Sequence, residues 1–195
     1  MINRCVMTTA VVALVFGLAA CSDDEAANGP EASAGASWAG GVCSAMTDLE
    51  SSLDELGEGL DISLGSGDAV DQLKAQVGEQ ADSVQADLEA LAAAASDVPD
   101  DAGDDIRAEA ADLEAQRADL EASVVPVETA AAAVADASSV SELATSVAAA
   151  SSAVQVAVDD FTAYAASLES AAASDAESVK AAFGDAPECS AYVSN

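Results

Sequence analysis

Four cysteines, 36 carboxylates, abundant serine and no histidine make up the reactive inventory of this 195-residue chain. The missing histidine removes the usual general base at neutral pH and the commonest metal ligand. No serine sits in a G-x-S-x-G elbow, and no glycine loop with a lysine could cradle a phosphate. A pair of carboxylates could hydrolyse a glycoside, but among 36 acids nearness in sequence selects none of them. The densest group, Asp97, Asp100, Asp101, Asp104 and Asp105, lacks the spacing of a calcium-binding EF-hand loop. It reads as the acidic start of a helix, where capping and the helix dipole favour negative charge. These absences argue against an enzyme, and no catalytic residue, metal ligand or cofactor is expected.

Charge narrows the partners. The formal net charge is −31, with only five Lys and Arg. Nucleic acid is excluded, because binding it relies on clustered bases that neutralise phosphates. Four of the five bases follow an acid by three residues: Asp71–Lys74, Asp104–Arg107, Glu114–Arg117 and Glu177–Lys180. On a helix that spacing places each pair on one face, so no basic patch is left over. Arg117 borders an apolar seam, its stem along the helix and its head expected to reach Glu114 or Glu121.

The elements that must carry these groups are helical. Ala, the best helix former, supplies fifty residues, while aromatics make up 3%. Val42, Met46, Leu49, Leu53, Leu56 and Leu60 alternate steps of four and three, an apolar stripe. Gly57 and Gly59 are expected to end this first helix, leaving Leu60 in the loop. After a Gly-Ser loop near residue 65, Val70, Val77, Val84 and Leu91 recur every seven residues, flanked by Leu73, Ala81, Leu88 and Ala95. Pro99 breaks the chain, and Ile106, Leu113, Leu120 and Val127 resume the heptad. Pro126 predicts a kink in this third helix or the start of a new one. Ser139 with Glu142 forms a capping box, opening a helix whose seam is Val140, Val147, Val154, Phe161 and Leu168. Ser174 with Glu177 reads as a second capping box, predicting a break near residue 173. The fold class is therefore all-α, an antiparallel up-down bundle of about four helices.

The N-terminus carries the most specific pattern. An apolar run from Val6 to Leu18 follows Arg4 and is too short for a transmembrane helix, which needs about 20 residues. It ends in Leu18-Ala19-Ala20-Cys21. This resembles the lipobox signal of bacterial lipoproteins, and the composition beyond it resembles small Ala-rich acidic lipoproteins of high-GC Gram-positive bacteria. The resemblance implies that residues 1–20 are removed and that Cys21 is lipidated, anchoring the chain at the extracytoplasmic face of the cell membrane. One acyl chain holds only marginally, so the two or three chains such a cysteine carries would anchor it stably. Residues 21–37, small, acidic and interrupted by Gly29-Pro30, are then a flexible tether, and residues 38–195 the bundle domain.

With Cys5 removed and Cys21 lipidated, Cys43 and Cys189 remain. Outside the cytoplasm two such thiols oxidise, and an even number of helices would bring both to one end of the bundle. No C-x-x-C and no neighbouring base marks them as redox-active. A disulfide there would clasp the termini, worth about 5 kcal/mol at most by loop-closure entropy, with Trp38 and Phe183 packed over it. The expected function is a non-enzymatic, membrane-anchored module of the cell envelope that is structural or engages another envelope protein. The alternative is a binder of small apolar ligands or cations. It rests on a first helix of about 20 residues, near 30 Å, that leaves a groove beside Val77, Val84, Val154 and Phe161.

Overall fold

The computed structural model describes residues 30–60 and 67–193. Four long helices, α1 (Pro30–Leu60), α2 (Gly67–Ser96), α3 (Asp104–Asp136) and α4 (Val140–Ala172), pack antiparallel. A short helix, α5 (Glu177–Gly184), and a 3-10 turn, Pro187–Ala191, complete the described chain. Each long helix has 30 to 33 residues, about 45–50 Å at the usual rise. None of the described helices is long and apolar enough to cross a membrane.

The heptad seams form the core. Val77, Val84 and Leu91 of α2, with Leu73 flanking them, and Ile106, Leu113, Leu120 and Val127 of α3 are buried, as are Val154, Phe161 and Leu168 of α4, whereas Val70 and Val147 are only partly buried. Val140 departs from its expected place and is 66% exposed. It is the first residue of α4. Just before it, Ser139 accepts a hydrogen bond from the Glu142 backbone N–H, and the Glu142 carboxylate accepts from the Ser139 N–H, completing the capping box.

Several sequence expectations change. The first helix begins at Pro30, inside the stretch 21–37 read as a tether, and runs through Gly57 and Gly59 to Leu60. Pro30 sits at the helix start, where its missing N–H has no intrahelical role to lose. Gly59 lies against the flexible end of the Gln80 side chain, and the helix continues through it. Because α1 is as long as its neighbours, the expected shortfall is gone. Val77, Val84, Val154 and Phe161 are 0–7% exposed, filling the core rather than lining a groove.

Pro126 lies within α3, which continues past it. The carbonyl that loses its donor belongs to Ala122, an exposed residue that solvent can reach. The chain does break at residue 173, but α5 takes Ala176 as its N-cap, and no side chain caps it. Ser174 Oγ instead accepts from the Ala176 N–H at 3.2 Å, a turn contact one step too early for a capping box.

Candidate functional site

The structure unites one set of expected residues. Cys43 and Cys189 form a disulfide with Cα atoms 5.1 Å apart, and both are fully buried. Cys43 lies in the fourth turn of α1 rather than at its start. The partner reaches it because α4 returns to the end where α1 begins, and the segment after α4 then doubles back alongside α1. Gly35 faces Ala182, Trp38 faces Phe183, Gly40 faces Ala186 and Glu188, and Cys43 meets Cys189. The Trp38 and Phe183 rings meet edge to face, with centroids 5.7 Å apart. Trp38 Nε1 donates to the Ala95 carbonyl at 3.2 Å, so its one polar atom is satisfied in the core. Cys21, together with the whole segment 1–29, lies outside the described residues.

A second feature, not foreseen from sequence, is a polar recess of about 610 Å³ between α3 and α4. Glu109, Asp112 and Gln116 line it from α3, and Ser167 and Ser170 from α4. Burial, and secondarily the nearby Asp112 charge, hold the Glu109 carboxyl above the usual carboxylate range. Ser167 Oγ donates to Gln116 Oε1 across the helix pair. The recess therefore offers acceptors and negative charge but no nucleophile activated by a base.

One turn along, Arg117 donates to Glu121 at 2.9 Å and to Glu114 at 3.0 Å. Its expected pairing thus holds with both acids, and its side chain is 13% exposed. Burial works against the Arg117 charge, and its hydrogen bonds to the two carboxylates, with their negative charge, more than offset it, raising its pKa. Tyr164 of α4 is buried nearby. Burial is the main cause that pushes its phenol up to about 12; Arg117 pulls it down less, and Glu114 adds to the rise. Its hydroxyl and Arg117 Nε have no hydrogen-bond partner among the described residues.

The other expected ion pairs divide. Arg107 meets Asp104 at 3.1 Å. Lys74 turns away from Asp71 to the Ala137 carbonyl, where it places a cation at the C-terminus of α3. Of the acidic cluster, Asp104 and Asp105 lie in the first turn of α3 as expected, whereas Asp97 directly follows the end of α2 and Asp100 and Asp101 lie in the turn between the helices. Among the described residues no group of three His, Cys, Asp or Glu is arranged to hold a metal ion. Heptad reading could not find the recess, since its residues lie beside the seam and meet only through the register of α3 on α4. No protein-family model, no curated protein and no solved structure matches the chain.

Proposed function

We propose that this chain is a lipid-anchored extracytoplasmic lipoprotein whose helical bundle is a non-enzymatic structural or protein-interaction module of the cell envelope. The observation that carries the reading is Leu18-Ala19-Ala20-Cys21 directly behind a short apolar run and Arg4. The bundle is compatible with that role: its core is filled by its own side chains, and its cysteine pair is oxidised as an extracytoplasmic setting favours.

The anchoring is tested by metabolic labelling with a fatty-acid analogue and detergent phase partitioning. The native chain is expected to take up label and enter the detergent phase, and Cys21→Ser to do neither. Equal partitioning of the two would overturn lipidation. The interaction role is tested by crosslinking in the intact envelope; recovery of the bundle without any crosslinked partner would argue for a purely structural role.

A second reading, as a small-ligand or cation binder, draws support from the acid-lined recess at Glu109 and Asp112 rather than from an apolar groove. Native mass spectrometry in calcium or a primary amine would show bound species that Glu109→Gln removes. Bare protein in both would end this reading.

A further inference from the structure

The segment from Ala173 to Val193 is built as a strap. Its two regular pieces have eight and five residues, too short to persist as helices on their own. It lies over the N-terminal half of α1, and Val179, Ala182, Phe183, Ala186 and Tyr192 are buried by it. Beneath it are Trp38, Ala39, Val42 and Ile106, none more than 3% exposed. Gly35 and Gly40 shape the seat. A methyl at 35 would overlap Ile106 Cδ1, and one at 40 would lie 2.8 Å from a Glu188 carboxylate oxygen.

Little besides apolar contact and one covalent bond holds this strap. Among the described residues, no backbone hydrogen bond joins α5 or the 3-10 turn to the four long helices. Side-chain polar contacts are few: Ser178 Oγ donates to Asp105 at 3.1 Å, the proton-less disulfide sulfur of Cys189 lies 3.3 Å from the Ala39 carbonyl, and Tyr192 sits beside Thr47. Charge does not help, since Asp175, Glu177, Asp185 and Glu188 outnumber Lys180 in a strongly acidic chain. The strap is pinned at its base by continuity with α4 and at its far end by Cys43–Cys189. Cutting that bond leaves one pin.

We propose that the disulfide is a redox latch: oxidised, it keeps the strap closed; reduced, it lets the strap open while the four long helices stay folded. The reductant is a dithiol. Both sulfurs are buried while the strap is closed, so attack occurs as its end frays. One thiolate of the reductant then attacks a sulfur of Cys43–Cys189, forming a mixed disulfide and releasing the other cysteine as a thiolate, which takes up a proton. The second thiol of the reductant, losing its proton, then displaces the bound cysteine. Two electrons and two protons pass to the protein, which ends as two thiols, and the reductant ends as a disulfide. Opening exposes Trp38 and the apolar face of α1. The inference does not depend on lipidation at Cys21, so either can fail alone.

Hydrogen exchange on the folded chain before and after dithiothreitol tests the latch, with Cys189→Ser as the permanently open form. Reduction is expected to speed exchange over residues 177–193 by more than about tenfold, while α2 and α3 change far less. Trp38, the only tryptophan, should at the same time become open to a soluble quencher. Unchanged protection of residues 177–193 in both reduced and Cys189→Ser protein would overturn the proposal. So would loss of protection by all five helices together, which would make the bond a global staple.

Discussion

Raising the pH from about 9 to about 12 should cost this fold stability through Tyr164. An exposed phenol titrates near 10.0, whereas burial between α3 and α4 pushes that of Tyr164 up to about 12. Between those values the unfolded chain has released the proton and the folded chain retains it. The native state then binds more protons, so stability falls as pH rises. The contribution is fully present below pH 10 and is lost as pH climbs through 12. The displacement corresponds to about 2–3 kcal/mol over the window. Urea unfolding followed by circular dichroism would measure it in the native chain and in Tyr164→Phe. Near neutral pH the two should differ little, because the hydroxyl has no partner among the described residues to lose. Toward pH 12 the variant should become the more stable by about 2 kcal/mol. Tyr192, also raised by burial, is present in both proteins and cancels in the difference. A stability difference that stays flat across the window would refute the burial of Tyr164 as described.

Other perturbations have opposite signs by position. Gly35→Ala should cost about 1–3 kcal/mol by overpacking against Ile106 and Ala182. Gly78→Ala, with open space around its Cβ, should gain about 0.5–1 kcal/mol in the same unfolding assay. Ser139→Ala should cost about 1 kcal/mol by removing the α4 cap. Hydrogen bonds from the Ser138 and Ser139 side chains and backbones lower the Glu142 pKa, so its stabilising effect holds above the unfolded carboxylate pKa. It is lost as pH falls through the folded value, and an acid titration of Glu142→Gln should lack that component. Moderate salt should raise the melting temperature by screening the −31 charge; a flat or falling value would show that self-repulsion does not limit stability.

The seams of α2, α3 and α4 were legible because period-seven Val, Leu and Ile leave one way to bury a stripe. The disulfide was legible by elimination of two cysteines from four. The reach of α1 was not, because Gly29-Pro30, Gly57 and Gly59 read locally as breakers. Glycine within this helix answers instead to tertiary packing, as at Gly35, where Ile106 and Ala182 crowd it. The Ser174–Glu177 capping box does not form, since a four-residue match cannot reveal that the helix takes its N-cap two residues later, at Ala176. The Glu109–Ser167 recess and the Lys74–Ala137 contact depend on how far one helix slides against another, which no single stripe encodes.

Of all the described chain, the first half of α1 is made earliest and its cover latest. Its seat at Gly35, Trp38 and Gly40 is completed only by Ala182, Phe183, Ala186 and Glu188, more than 140 positions on. A copy lacking residues 177–193 would leave Trp38, Ala39 and Val42 without that cover. Loss of this segment would then show itself as a sticky apolar flank on α1.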